Sequence, residues 1–147
     1  MEDFKKILIP TDGSEANNEA VEKGLSLARL MGARATILFV VDTSSFIDIL
    51  PDELVTNITS IMEKQGNEYI NEIIEEADEL GVETEKKITT GHPAQEIINE
   101  SENHDMIVIG THGRSGLSRI FLGSTAEKVV RHAKCPVMLI KIKEEEE

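Results

Sequence analysis

Glycines and hydroxyl residues near the C-terminus have the spacing of a phosphate-binding site. The chain reads Gly110-Thr-His-Gly113 and, nine residues later, Gly123-Ser124-Thr125. The first glycine follows an apolar, strand-like run at 106–109, and the last one precedes a predicted helix. Backbone without side chains can approach phosphate oxygens closely, and a helix N-terminus supplies N–H groups and a partial positive charge. The pattern is not a Walker A loop, because G-x-x-x-x-G-K-[ST] does not occur in the chain.

The charge distribution places a group of basic residues around those glycines. The net charge is −13, which argues against nucleic acid or an anionic membrane as the main partner. Residues 110–143 nevertheless contain seven basic residues and a single acid, Glu127, so this segment carries +6 and the remainder carries −19. A basic segment at the glycine motif favours an anionic ligand. The alternative is that these Lys and Arg side chains only lie on an exposed helix face and bind no ligand.

Length and composition indicate one globular domain. The chain has 147 residues and 39% hydrophobic content, and we expect a single domain over residues 1–143 with a solvated acidic tail at 144–147. No apolar run approaches the roughly 18 residues of a membrane span, and no signal peptide is recognised. Cys135 is the only cysteine, which excludes a disulfide framework and predicts a reducing cytoplasm.

Strand and helix patterns alternate along the chain. Buried strands are predicted at 7–9, 36–41, 106–109 and 137–140, and a half-exposed strand at 82–88. Helices are predicted at 16–31, at 51–80, from Pro93 onward, and at 124–132, with Gly32 and Gly81 as stops for the first two. The helix at 51–80 would be roughly 45 Å long, so we expect a break near Gly66.

This alternation predicts an α/β fold in which a largely parallel sheet is covered by helices on both faces. In such a three-layer, Rossmann-like sandwich, ligands bind outside the carboxyl ends of the strands. Pro10-Thr11-Asp12-Gly13 and residues 110–114 both lie at such ends. The residues that could contact phosphate are therefore predicted to meet at one edge of the sheet.

Three segments, in order, resemble the universal stress protein family. They are Ile-Leu-Ile-Pro-Thr-Asp-Gly-Ser-Glu at 7–15, Gly-His-Pro-Ala at 91–94, and Gly110-x2-Gly113-x9-Gly123-Ser124 followed by Cys-Pro-Val at 135–137. The resemblance spans nearly the whole chain. It implies a five-stranded sheet of order 3-2-1-4-5 in an adenine nucleotide alpha hydrolase-like fold.

The resemblance also implies an ATP site, because family members that keep the full glycine spacing bind ATP. It places the backbone of Val40 at the adenine, Asp12 at the ribose hydroxyls and Gly110 beside the ribose. The complete set of implied ATP-binding residues is Pro10, Thr11, Asp12, Val40, Gly110, His112, Gly113, Arg114, Ser115, Gly123, Ser124 and Thr125. Mg²⁺ would accompany the nucleotide and be held chiefly by its phosphates, so no metal ligand is named.

Simpler interpretations exist for some of these residues. Ser124 and Glu127 form an S-x-x-E capping box, which needs no ligand. Asp12 precedes Gly13, and Asp-Gly is a common turn pair. His112 has no neighbouring carboxylate or nucleophile in the sequence, so no catalytic residue is predicted. Arg114 and Arg119 are either phosphate partners or solvated surface residues.

Together these features predict an ATP-binding, nucleotide-responsive regulator in a stress response, with a protein partner that the sequence does not identify. No P-loop lysine or water-positioning residue is evident, so efficient hydrolysis is not expected; slow or partner-stimulated hydrolysis stays open. One rival is an adenylyl-transferring or ATP-pyrophosphatase enzyme, whose H-x-G-H or S-G-G-x-D-S signature is replaced here by Pro10-Thr-Asp-Gly-Ser14. The other rival is a nucleotide-independent interaction module whose glycines are structural turns.

Quaternary structure follows from the implied strand order. The last strand would lie at an edge of the sheet, and its residues are apolar throughout: Val137, Met138, Leu139 and Ile140. Such a sequence is unfavourable on an exposed edge. We therefore predict a homodimer in which these edges pair across a two-fold axis.

Overall fold

A computed structural model describes residues 4–111 and 122–142 of the chain. The elements, in chain order, are β1 (Lys6–Thr11), a 3₁₀ turn (Glu15–Asn17), α1 (Asn18–Met31), β2 (Arg34–Asp42), α2 (Asp52–Leu80), β3 (Thr84–Gly91), α3 (Pro93–Ser101), β4 (Met106–Gly110), α4 (Ser124–His132) and β5 (Val137–Ile140). The predicted alternation is confirmed. The acidic tail predicted at 144–147 lies outside the described residues.

The five strands form one parallel sheet of order β3-β2-β1-β4-β5, as expected. β1 lies at the centre, where Ile7 pairs with Ala35 of β2 on one side and with Met106 of β4 on the other. The chain leaves β1 toward β2 and β3, and then returns to place β4 on the opposite side of β1. The strand order therefore reverses between β1 and β4, which is where open α/β sheets bind ligands.

Two apolar layers hold the helices against the sheet. One layer packs α1 and α2 on one face through Leu25 and Ile70 against Ile9 of β1. The other packs α3 and α4 on the opposite face through Ile97 and Val129. Successive residues of a strand point to opposite faces, so the continuous apolar run of β1 serves both layers. No helix within the described ranges is long and apolar enough to cross a membrane.

The predicted break near Gly66 is wrong: α2 is one continuous helix of 29 residues. Gly66 is buried, and a Cβ atom at this position would lie 2.3 Å from Cδ1 of Phe39 in β2. The glycine therefore allows the helix to approach the sheet closely, and it does not interrupt the helix. The fully buried residues of α2 begin at Gly66, and among its first 14 residues, 52–65, Met62 is partly buried against the core.

The third strand was predicted at 82–88 but runs from Thr84 to Gly91. Val82 belongs to the turn that ends α2, where its N–H donates to the Ala77 carbonyl at 2.9 Å. β3 continues to Gly91 because it pairs with the long strand β2 as far as Asp42. Lys86 of β3 donates from Nζ to Oδ1 of Asn67 in α2 at 2.7 Å.

Candidate functional site

A cleft of about 330 Å³ opens at the carboxyl edge of the sheet, and it is bounded by β1, β2, β4 and the first turns of α3 and α4. Eight of the twelve residues implied for the ATP site line it: Pro10, Thr11, Asp12, Val40, Gly110, Gly123, Ser124 and Thr125. The other four fall outside the described residues: His112, Gly113, Arg114 and Ser115. The described members of the set therefore share one cavity, although they come from four different parts of the chain.

The turn after β1 holds the Asp12 carboxylate at the cleft. Oδ1 of Asp12 accepts the N–H of Ser14 at 2.9 Å, and Oγ1 of Thr11 accepts the N–H of Gly13 at 3.2 Å. Asp12 is thus a turn residue, as its simpler interpretation stated. A carboxylate can accept several hydrogen bonds, so this turn is compatible with recognition of ligand hydroxyls.

Gly13 is required at this turn for two reasons. Its φ of +76° lies in the left-handed region that glycine adopts most easily. In addition, a Cβ atom at position 13 would lie 2.4 Å from Cε2 of Tyr69 in α2. The tyrosine ring stacks in turn on Phe39, with centroids 6.4 Å apart. The long helix therefore packs directly on the turn that carries Asp12.

The two ends of the glycine-rich segment meet at the end of β4. The N–H of Gly123 donates to the Thr111 carbonyl at 2.7 Å, and the N–H of Thr111 donates to the Ile140 carbonyl at 3.0 Å. A Cβ atom at Gly110 would lie 2.7 Å from Oδ1 of Asn17. Gly110 is thus a site of close approach between β4 and the 3₁₀ turn before α1.

The first turn of α4 faces the cleft. Gly123 occupies the N-cap position in an extended conformation, and Ser124 is the first helical residue. The predicted capping box is therefore wrong, because the helix begins at Ser124, one residue earlier than that pattern needs, and its N-cap residue makes no side-chain cap hydrogen bond. The first N–H groups of a helix have no carbonyl partner within it, and they carry the positive end of the helix dipole. In α4 these groups belong to residues that line the cleft, Ser124, Thr125 and Ala126.

Comparison with known proteins establishes the family of this chain. The sequence model of the universal stress protein family matches residues 3–141. The chain belongs to the universal stress protein family. A relative, universal stress protein MJ0531 from Methanocaldococcus jannaschii, is 37% identical over 140 residues, which cover 94% of this chain and 82% of the relative.

Two solved structures show the same fold in other members of the family. Universal stress protein UspA from Lactobacillus plantarum has a TM-score of 0.87 at 25% identity and covers 95% of this chain and 99% of its own. The Arabidopsis thaliana protein At3g01520, solved with AMP bound, has a TM-score of 0.70 at 22% identity and covers 95% of this chain and 92% of its own. At that identity the second comparison establishes the fold alone.

In this universal stress protein, several cleft residues were not predicted from the sequence. They are Asn17, Leu38, Phe39, Asp42, Met62, Pro93, Ile97, Ile109 and Ala126. Asp42 had a usable signal, because it directly follows the apolar run at 36–41 and is the last residue of β2. Its Oδ1 accepts the N–H of the second residue along, Ser44, at 3.0 Å, as Asp12 does with Ser14. Met62 had no such signal in the sequence, because the position of α2 over the cleft depends on the packing of that helix against Phe39.

The single cysteine, Cys135, is not among the residues that line the cleft. Burial, followed by the charge of Asp105, raises the pKa of the Cys135 thiol, so the thiolate is disfavoured, in keeping with a packed residue. Within residues 4–111 and 122–142, no group of three or more His, Cys, Asp and Glu side chains is placed to hold a metal ion. The described part of the cleft wall consists of backbone, hydroxyl, carboxylate and apolar groups.

Proposed function

We propose that this universal stress protein binds ATP in the cleft and acts as a nucleotide-responsive regulator in a stress response. The observation that carries the proposal is the meeting of two groups in one cavity: the Asp12 turn and the first turn of α4 at Gly123–Thr125. One group suits ribose hydroxyls and the other suits phosphates. The AMP bound to the Arabidopsis protein of the same fold supports an adenine nucleotide as the ligand.

The chemistry of the wall suggests how the nucleotide is oriented. Apolar side chains of Leu38, Met62 and Ile97 can cover the faces of a base, and the exposed backbone at Val40 can bond its edge. Asp12 can accept hydrogen bonds from the ribose, because a carboxylate takes two donors at once. Phosphates then face the N–H groups of the first turn of α4, where the helix dipole favours negative charge.

Mg²⁺ fits this proposal as an ion held by the ligand. Mg²⁺ usually keeps several waters and binds to substrate phosphates, with one or two carboxylates at most. The described residues supply no ready-made metal cage. The residues of this chain would therefore hold the nucleotide, and the bound cation would neutralise part of the triphosphate charge.

Nucleotide affinities measured by calorimetry test the proposal. We expect saturable binding of ATP, weaker binding of adenosine, and discrimination against GTP, whose base presents a different edge. Ser124→Glu puts a negative charge beside the proposed phosphate position, so ATP affinity should fall about tenfold or more while adenosine affinity changes little. Ser60→Glu, an exposed hydroxyl residue in α2, is the matched control.

The outcomes separate this function from its rivals. Absence of measurable ATP affinity would favour an interaction module that works without nucleotide. Phosphate release at rates typical of enzymes, about 1 s⁻¹ or faster, would favour a hydrolase. Equal loss of ATP and adenosine binding in Ser124→Glu would contradict the assignment of α4 to the phosphates. The cytoplasmic location predicted from the single cysteine stays a prediction.

A further inference from the structure

An apolar surface lies on the part of the molecule that extends past the core. We call it the overhang surface and define it by Ile47 and Ile49 in the loop before α2 and by Leu54 and Ile61 in the first half of that helix. These side chains are 49%, 78%, 43% and 59% exposed, respectively. Four large apolar side chains within 15 residues are a concentration that isolated surface residues do not explain.

Backbone hydrogen bonds order the segment that carries these side chains. In the loop, the N–H of Ile47 donates to the Thr43 carbonyl at 2.9 Å, and the N–H of Leu50 donates to the Phe46 carbonyl at 3.0 Å. The loop is therefore a set of hydrogen-bonded turns. In the helix, Leu54, Ile58 and Ile61 follow one another at spacings of four and three residues, so they share one face.

The folded core does not account for this face. None of the residues 52–65 is buried, whereas Gly66, Ile70, Ile73 and Ala77 of the same helix pack on the sheet. An amphipathic helix normally turns its apolar stripe to the core. In α2 that stripe runs through Met62, Gly66, Ile70 and Ile73, whereas Leu54 and Ile61 lie seven residues apart on a different face that stays exposed, which is the geometry of a helix that presents a face to another molecule.

The charges around the overhang surface indicate the chemistry of that molecule. Residues 43–66 contain four acids, Asp48, Asp52, Glu53 and Glu63, and a single base, Lys64, all of them exposed. These acids, in a chain that carries −13 overall, disfavour an acidic partner on this surface and attract a cationic one. We propose that the overhang surface docks a basic amphipathic helix of a partner protein, with apolar residues on one side and lysine or arginine at the margins.

The same helix connects this surface to the cleft. Met62, the next residue after Ile61, lines the cleft wall, and Tyr69 packs on the turn that carries Asp12. The interpretation of the overhang surface as the output surface of a regulator rests on the proposed function. Docking itself needs no nucleotide, so it is measured on nucleotide-free protein and its failure is separate from a failure of ATP binding.

The test uses an 18-residue amphipathic helical peptide of leucine and lysine as the probe, and a peptide with glutamate at every lysine position as its counterpart. Fluorescence anisotropy should show saturable binding of the leucine–lysine peptide and none of the counterpart. Ile61→Glu and Ile49→Asp should each weaken binding about tenfold or more. Leu30→Glu is the matched control, because Leu30 is 84% exposed on α1 and the substitution adds the same charge.

The carboxylate added by Ile61→Glu distinguishes binding through charge from docking on the apolar face. Binding through charge alone would become tighter in Ile61→Glu, whereas docking on the apolar face becomes weaker. The double variant Asp48→Lys with Asp52→Lys should also weaken binding and leaves the apolar side chains in place. Circular dichroism checks that each variant is folded.

Three results would overturn the proposal. One is unchanged or tighter peptide binding in both isoleucine variants. Another is equal binding of the leucine–glutamate peptide. The third is light scattering that shows the wild-type chain as an oligomer that Ile61→Glu, but not Leu30→Glu, dissociates, since the surface would then be covered by a second copy.

Discussion

Gly66 and Phe39 are packed so closely that a Cβ atom at position 66 would lie 2.3 Å from Cδ1 of the ring. This contact joins α2 to β2 at the edge of the cleft, which Phe39 also lines. One helical turn before Gly66, Met62 reaches the cleft, and one turn after it, Tyr69 covers Gly13. The contact between backbone and ring therefore sets the position of α2 over the candidate site.

Gly66→Ala tests this contact. In a free helix, replacing glycine by alanine stabilises by about 1 kcal/mol. Here the added methyl overlaps a buried ring, and overpacking costs about 1–3 kcal/mol. We expect the free energy of unfolding in urea to fall by roughly 1 kcal/mol in Gly66→Ala, whereas Ser60→Ala, at an exposed position of the same helix, should raise it slightly.

Shortening the ring side chain should restore room for the methyl group. In a double-mutant cycle, Phe39→Leu with Gly66→Ala should be less destabilised than the sum of the two single variants. Additive losses, or a Gly66→Ala variant as stable as Ser60→Ala, would contradict the close approach.

Substitutions at Asp12 separate its turn role from its ligand role. Asp12→Asn keeps an oxygen that can accept the Ser14 N–H, so stability should stay close to that of the wild type. It leaves one acceptor oxygen instead of two, so we expect ATP and adenosine affinities to fall together by about tenfold. Asp12→Ala should lose the same affinity and also about 1 kcal/mol of unfolding free energy, because the turn bond is gone.

Asp42→Asn is the control for Asp12, since Asp42 also ends a strand, lines the cleft and accepts the N–H of Ser44. The proposed nucleotide orientation gives it no ribose contact, so its effect on affinity should be small. An Asp42→Asn variant that loses as much affinity as Asp12→Asn would move the ribose to the end of β2.

The acidic surroundings of Glu76 in α2 predict that Glu76→Gln stabilises the fold in a pH-dependent way. Partial burial, followed by the charges of Glu22 and Glu79, raises the pKa of the Glu76 carboxyl. The ionised form is thus disfavoured in the fold, so its cost is absent below the unfolded-state pKa of about 4.3 and appears as the pH rises through the folded-state pKa. Glu76→Gln should therefore be more stable at pH 7, by less than about 1 kcal/mol after solvent screening.

Thermal unfolding at several pH values measures this difference. The advantage of Glu76→Gln should vanish below about pH 4, where the wild-type carboxyl is protonated in both states. Added salt should reduce the part of it that comes from Glu22 and Glu79. An advantage that persists at pH 3 would assign the effect to packing or helix propensity.

The edge strand β5 provides a test of the predicted homodimer. The structure confirms that β5 lies at the edge of the sheet, with Met138 exposed. Val137 and Leu139 pack against the core beneath α3 and α4, so changes there would disturb the monomer itself. Met138→Lys puts a charge on the outward position and should convert a dimer to a monomer in light scattering, while the melting temperature of the subunit changes little.

Val130→Lys is the matched control for the dimer, because Val130 is an exposed apolar residue of the neighbouring helix α4. It should leave the dimer intact. A wild-type chain that is already monomeric, or a Met138→Lys dimer of unchanged stability, would show that β5 does not pair with a second copy.

Local patterns in the sequence were enough to predict the alternation of elements and the edge of the sheet at which the site forms. Apolar runs of three to six residues, the stops at Gly32 and Gly81, and Pro93 in the first turn of α3 are features of neighbouring residues, and all are present in the structure. The strand order came from the family resemblance, because periodicity alone does not say which strands are neighbours.

Tertiary structure decided what depends on residues distant in the chain. The sequence could not show that Gly66 packs on Phe39 and so leaves α2 unbroken, or that Gly110 approaches Asn17. It predicted α4 at 124–132 correctly but assigned the cap to Ser124, because the N-cap depends on the backbone conformation of Gly123, whose N–H donates to the Thr111 carbonyl. Periodicity and turn chemistry are local properties, whereas close packing is fixed only when helix and sheet meet. The sequence therefore determined which residues reach the cleft edge, and the fold determined what surrounds them.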